Sequence, residues 1–236
     1  KSSSFTRKIN MHTTDSGVQS PPPLKVARGG GIVIPRLSNQ GGFMIIGITG
    51  QSGAGKTSVC DSLAQFNIPI IKADLIAREV VKSKDCKERL ARRFGEDIIK
   101  NGELDRATLA SRAFSTRENT DALNQITHPL IVQMMLACAD GHSTVIFDAS
   151  QLFESGLDKK CDLIIGIMAD ENVRLSRIVN RDNLTVEQAK LRISAGLSDR
   201  FFIKNCDYII KNNGDKTVND IAAAIYKIIL ERAAEI

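Results

Sequence analysis

The eight residues Gly50-Gln-Ser-Gly-Ala-Gly55-Lys56-Thr57 constrain this chain more than any other feature. They satisfy G-x-x-x-x-G-K-[ST] at every fixed position. Glycines let the backbone curl so that successive N–H groups point inward, and a Cβ at those places would obstruct an approaching phosphate. The lysine can reach the outer phosphates of a nucleoside triphosphate, and the threonine hydroxyl can ligate Mg²⁺. A helix starting there adds the positive end of its dipole. The bland alternative is a chance match in a Gly-rich turn, and the flanks argue against it. Met44–Thr49 is a continuous apolar run, as a buried parallel strand should be, and Val59, Leu63 and Phe66 recur at helical spacing behind the loop. Gly50, Gln51, Ser52, Gly53, Ala54, Gly55, Lys56 and Thr57 therefore read as an ATP-binding loop, with Lys56 catalytic and Thr57 a metal ligand.

The same strand-then-helix pattern continues down the chain. Ile68–Ile71, Thr144–Phe147, Leu163–Met168 and Tyr208–Ile210 are further strand candidates, and helical patterning covers 75–82, 130–139, 171–181 and 217–233. Thr185 and Gln188 form a capping-box pair that opens one more helix. Alternation of this kind predicts an α/β fold, a three-layer α/β/α P-loop NTPase domain with a mainly parallel sheet. The strand at Ile68–Ile71 is expected beside the P-loop strand.

Residues 1–43 are different in kind. They combine Ser2-Ser3-Ser4, Pro21-Pro22-Pro23 and Gly29-Gly30-Gly31 with isolated apolar residues, a composition that cannot offset its own ordering entropy. The expectation is a disordered extension, either native or an appended leader, followed by one kinase domain over 44–236. The extension also explains the charge. It carries six basic residues and one acid; taking them from the chain's 32 and 27 leaves 26 of each sign in 44–236. With no basic stripe interleaved with aromatics, nucleic acid is not an expected partner. No run of about 18 apolar residues and no secretory h-region are present, so neither a membrane span nor export is expected. Five scattered cysteines without C-x-x-C suit a reducing cytoplasm. A monomer or weak homo-oligomer is expected.

Within the P-loop class, no N-K-x-D guanine reader and no LSGGQ string occurs, which leaves small-molecule kinases. Ligands of such sheets bind outside the carboxyl ends of the strands. Two acids fall there: Asp74 after Ile68–Ile71, and Asp148 after Thr144–Phe147. Phosphoryl transfer uses acids to organise Mg²⁺ and to take or orient the acceptor's proton. Either acid could instead be a helix N-cap. Arg177 and Arg181, one helical turn apart, suit phosphate oxygens, although surface arginines are commonly just solvated. Arg200 follows the next helical stretch. His128-Pro129 reads as a helix start, with proline in the first turn.

Taken in order, these segments resemble the dephospho-coenzyme A kinase family. The resemblance rests on Ile48–Thr57, Ala73-Asp74-Leu-Ile-Ala-Arg78, Phe94-Gly95, Gly102-Glu-Leu-Asp-Arg106, Leu123-Asn124, His128-Pro129-Leu-Ile131, Leu152-Phe-Glu-Ser-Gly156, Arg177, Arg181-Asp182 and Asn212-Asn-Gly214. It implies a nucleoside-kinase-like fold that phosphorylates the ribose 3′-hydroxyl of dephospho-coenzyme A, with ATP and Mg²⁺. It further implies Asp74 as catalytic base, acceptor binding by Asp74, Arg78, Asn124 and His128 in a helical region over 74–139, and ATP contact by Arg177 and Arg181 in a lid over 176–200. Asp148 and Thr57 are the candidate metal ligands. The family pattern usually has D-A-D where Lys72-Ala73-Asp74 stands, Pro-Leu-Leu where Ser150-Gln151-Leu152 stands, and a glutamine near Gly196. A nucleoside or nucleoside-monophosphate kinase, and a catalytically impaired nucleotide-binding regulator, are the alternatives.

Overall fold

The computed structural model describes residues 43–235. The extension expected over 1–43 thus lies outside the described residues except for Phe43, which is partly buried against the core.

Strand β1 (Met44–Gly50) leads through the loop into α1 (Lys56–Leu63), which a short 3₁₀ turn extends to Asn67. Asn67 takes a left-handed conformation (φ 56°) and ends that unit, as asparagine tolerates better than most residues. Next come β2 (Ile70–Lys72), α2 (Ala73–Val80), α3 (Lys84–Phe94), a small hairpin of β3 (Ile99–Lys100) and β4 (Glu103–Leu104), α4 (Arg106–Ala113) and α5 (Arg117–Ala139). The chain then returns to the sheet as β5 (Thr144–Asp148) and β6 (Leu163–Met168). It ends with α6 (Glu171–Asp182), α7 (Val186–Ser194), α8 (Asp199–Asn205), β7 (Tyr208–Lys211) and α9 (Val218–Ala233).

The main sheet is parallel, in the order β2-β5-β1-β6-β7. This corrects the expected neighbourhood: β2 is an edge strand, separated from β1 by β5. It also begins two residues later than expected. Alternation along β1 sets the layers. Met44, Ile46 and Ile48 face a core shared with α1 and α9, whereas Ile45 faces the core shared with α2, α3 and α5. The three-layer expectation holds. Helix α5 is a second correction, because Pro129 lies inside it rather than at its start. The proline ring is tolerated on the exposed face while Thr127, His128, Met135 and Ala139 are buried; packing of that face outweighs the local cost of proline. Thr185 and Gln188 do close a capping box on α7.

The loop leaves β1 between β5 and β6, at the carboxyl edge of the sheet. Chain order reverses direction across the sheet there, the position at which such sheets bind ligands. No helix among the described residues is long and apolar enough to cross a membrane.

Candidate active site

Two glycines shape the loop. Gly53 and Gly55 have φ of 81° and 84°, a region costly for residues with a Cβ. A Cβ on Gly53 would stand 2.8 Å from the Arg174 carbonyl oxygen, and one on Gly55 would stand 2.5 Å from Asn212 Nδ2. The first contact packs the loop against α6. The second packs it against the segment after β7, where buried Asn212 donates from Nδ2 to the Ala54 carbonyl at 2.8 Å.

At the start of α1, the Lys56 ammonium pairs with the Asp148 carboxylate. Asp148 closes β5 and sits in register with Ile48 of β1 and Lys72 of β2. It caps no helix, so the N-cap alternative falls for this residue. The Cys60 thiol, one turn behind Lys56, is pushed well up by burial and by the nearby Asp148 charge. It therefore stays a neutral packing group.

Asp74 stands two residues beyond β2, in the first turn of α2. The N-cap of that helix is Lys72, not Asp74. Asp74 is exposed to a cleft of about 1020 Å³ that Lys56, Thr57 and Arg177 also line. It has no hydrogen-bond or ion-pair partner among the described residues. Lys72, the cation that departs from the family pattern, points elsewhere: its ammonium bonds Asp61 on α1. Partial burial alone would lower its pKa, but the bond and charge of Asp61, with Asp148 behind, outweigh it and hold the pKa up.

The arginines divide by partner. Arg177 donates from Nη1 to the carbonyls of Asn212 (2.9 Å), Ala54 (3.3 Å) and Gly53 (3.5 Å), bracing the loop. Arg181 pairs with Asp182, which also accepts from Arg192 of α7 at 2.6 Å. Arg200 is exposed on α8. Arg174 was not singled out from the sequence, although its place three residues before Arg177 puts it on the same helix face. It lines the cleft and is buried.

Arg78, Asn124 and His128 come together around a second, mainly apolar cavity of about 410 Å³ between α2, α4 and α5. Gln151 borders it, and His128 Nδ1 lies 3.3 Å from the Glu154 carbonyl oxygen.

A parallel α/β/α sheet with this loop at its centre, an acid ending β5 and another in the helix turn after the adjacent β2, defines a P-loop phosphotransferase of the small-molecule kinase class. The sequence model of the dephospho-CoA kinase family matches residues 44–217. A dephospho-CoA kinase of Corynebacterium glutamicum is 37% identical over 193 residues, covering 79% of this chain and 96% of that protein. One from Fusobacterium nucleatum is 37% identical over 176 residues, covering 73% and 91%. A solved Thermus thermophilus structure superposes with a TM-score of 0.68 at 26% identity, over 80% of this chain and 97% of the other. The chain belongs to the dephospho-CoA kinase family.

Proposed function

We propose that this protein transfers the γ-phosphate of ATP to the ribose 3′-hydroxyl of dephospho-coenzyme A, giving coenzyme A and ADP, the last step in making that cofactor. The observation that carries the reading is that Lys56 and Asp74 line one cleft, with Lys56 paired to Asp148 at the end of β5, the strand beside β2.

The loop backbone and Lys56 hold the phosphates, and Asp74 receives or orients the hydroxyl proton while keeping its oxygen in line for attack. Arg78, Asn124 and His128 serve the acceptor, and the second cavity offers its non-reacting part an apolar wall. Arg177 and Arg181 serve ATP, with 176–200 as the lid. The donor set suits Mg²⁺: Thr57 and Asp148 are hard oxygen ligands, and among the described residues no cluster of three or more His, Cys, Asp or Glu could hold an ion alone. Mg²⁺ typically binds through one or two carboxylates plus substrate phosphates. When bound it neutralises charge on the transferring phosphate. Five unpaired cysteines accord with work in the cytoplasm.

Incubation with ATP and dephospho-coenzyme A should yield a product heavier by one phosphate, together with stoichiometric ADP. Products formed only from nucleosides or nucleoside monophosphates would overturn the reading.

A further inference from the structure

Arg174 has the burial of a core residue and the chemistry of a phosphate ligand. It is 6% exposed, yet it forms part of the cleft wall. Its Nε is buried and has no hydrogen-bond partner among the described residues, and the same holds for Oε1 of Gln51 in the loop. Among the described residues the guanidinium faces an anion only at Asp199, with Nη2 3.9 Å from Oδ1. That is an ion-pair distance but too long for a hydrogen bond. The same Oδ1 accepts from Gln51 Nε2 at 2.6 Å. A buried guanidinium left this short of acceptors is costly unless a ligand completes it.

We infer that Arg174 is a further phosphate-binding residue, directed at the terminal phosphate of the triphosphate, with Asp199 standing in for that anion when the site is empty. Position supports the terminal phosphate. The Arg174 backbone packs against Gly53, and the carboxylate that its guanidinium faces is held by Gln51, the second residue of the loop. Its neighbour Arg177 is already engaged by three carbonyls and has less to offer. Binding would exchange Asp199 for phosphate oxygens and free the start of α8. The assignment rests on the triphosphate-binding part of the proposed function.

Calorimetric titration of the full chain with Mg²⁺ and either ADP or the β,γ-imido analogue of ATP tests this without any acceptor. Arg174→Gln should weaken the imido analogue about tenfold or more while leaving ADP within about twofold, since only one ligand carries the third phosphate. Equal losses for both ligands, or none, would overturn the assignment. Asp199→Asn gives an independent arm if Arg174→Gln fails to fold. Neutralising the stand-in anion should tighten the imido analogue several-fold, and unchanged or weaker binding would count against the exchange. Arg174→Lys should recover part of the ATP preference. A wild-type protein inert on dephospho-coenzyme A, with these titrations as expected, would remove the proposed acceptor and leave Arg174's role intact.

Discussion

Lys56 and Asp148 pair across the floor of the cleft with side chains only 10% and 6% exposed. Each is the other's main compensation for burial, and the Cys60 thiol behind them offers no charge. Lys56→Ala should therefore do two things at once. Turnover should nearly vanish, because the lysine neutralises charge moving through the transferring phosphate. Stability should fall by roughly 3 kcal/mol, because Asp148 keeps a buried charge without its partner. Lys56→Met combined with Asp148→Asn should regain most of the melting temperature and none of the activity. Thermal melts beside product assays separate the two effects, and an active Lys56→Ala enzyme would dismiss the loop as the phosphate site.

Asp74 contrasts with Asp148 in having no partner to lose. Asp74→Asn should lower turnover about 10²-fold or more, in the range for general-base loss. Its stability cost should be limited to the helix-dipole interaction in the first turn of α2, about 1 kcal/mol or less. ATP affinity should be unchanged by calorimetry. Normal turnover with a melting point several degrees lower would make Asp74 a structural residue.

The cysteines supply a pH dependence. Burial, helped by neighbouring aspartates, pushes Cys161 and Cys206 from the usual 9.0 up to about 12. Between those values the unfolded chain gives up thiol protons that the folded chain retains. It then binds fewer protons, so stability falls as pH rises. The contribution is complete below about pH 9 and is lost towards 12. Urea midpoints measured from pH 8 to 10.5 should decline, and Cys161→Ser with Cys206→Ser should flatten that decline. A thiol reagent should find these two positions slow in the native protein and rapid in urea.

The fold was legible where chemistry and periodicity coincide. The loop, its strand and the strand at Leu163–Met168 follow from apolar runs flanking residues with one plausible job. Three features were hidden for physical reasons. Proline at 129 gives a helix-start signal, whereas α5 runs from Arg117 because its buried face is stabilised by tertiary packing that no local window contains. Helix α3 buries Cys86, Leu90 and Phe94 at helical spacing, yet its dense charges masked that stripe. The order β2-β5-β1 depends on which strands meet in space, and nothing in Ile68–Ile71 encodes its partner. For the site, Asp74 and Asp148 were visible from strand ends. The links of Asn212 to Ala54 and of Gln51 to Asp199 join residues some 150 positions apart and have no local signature.

Arg177 and Arg181 were paired by spacing, but their surroundings predict different phenotypes. Arg177 ties the P-loop carbonyls to the segment after β7. Arg177→Ala removes that brace and leaves buried carbonyls short of a donor, at a cost of about 1–3 kcal/mol. Both melting temperature and ATP affinity should fall. Arg181 has a side chain 59% exposed, and its partner Asp182 keeps Arg192 of α7 when Arg181 is gone. Arg181→Ala should therefore cost about 1 kcal/mol or less in stability. Its effect should appear in turnover, because an exposed arginine on the cleft rim can meet phosphate only as α7 closes over the nucleotide. Acceptor affinity measured without ATP should not change for either variant. The comparison requires melts, nucleotide titration and steady-state rates on both proteins. Identical profiles for the two variants, or a defect confined to acceptor binding, would break the division between a loop brace and a closing group.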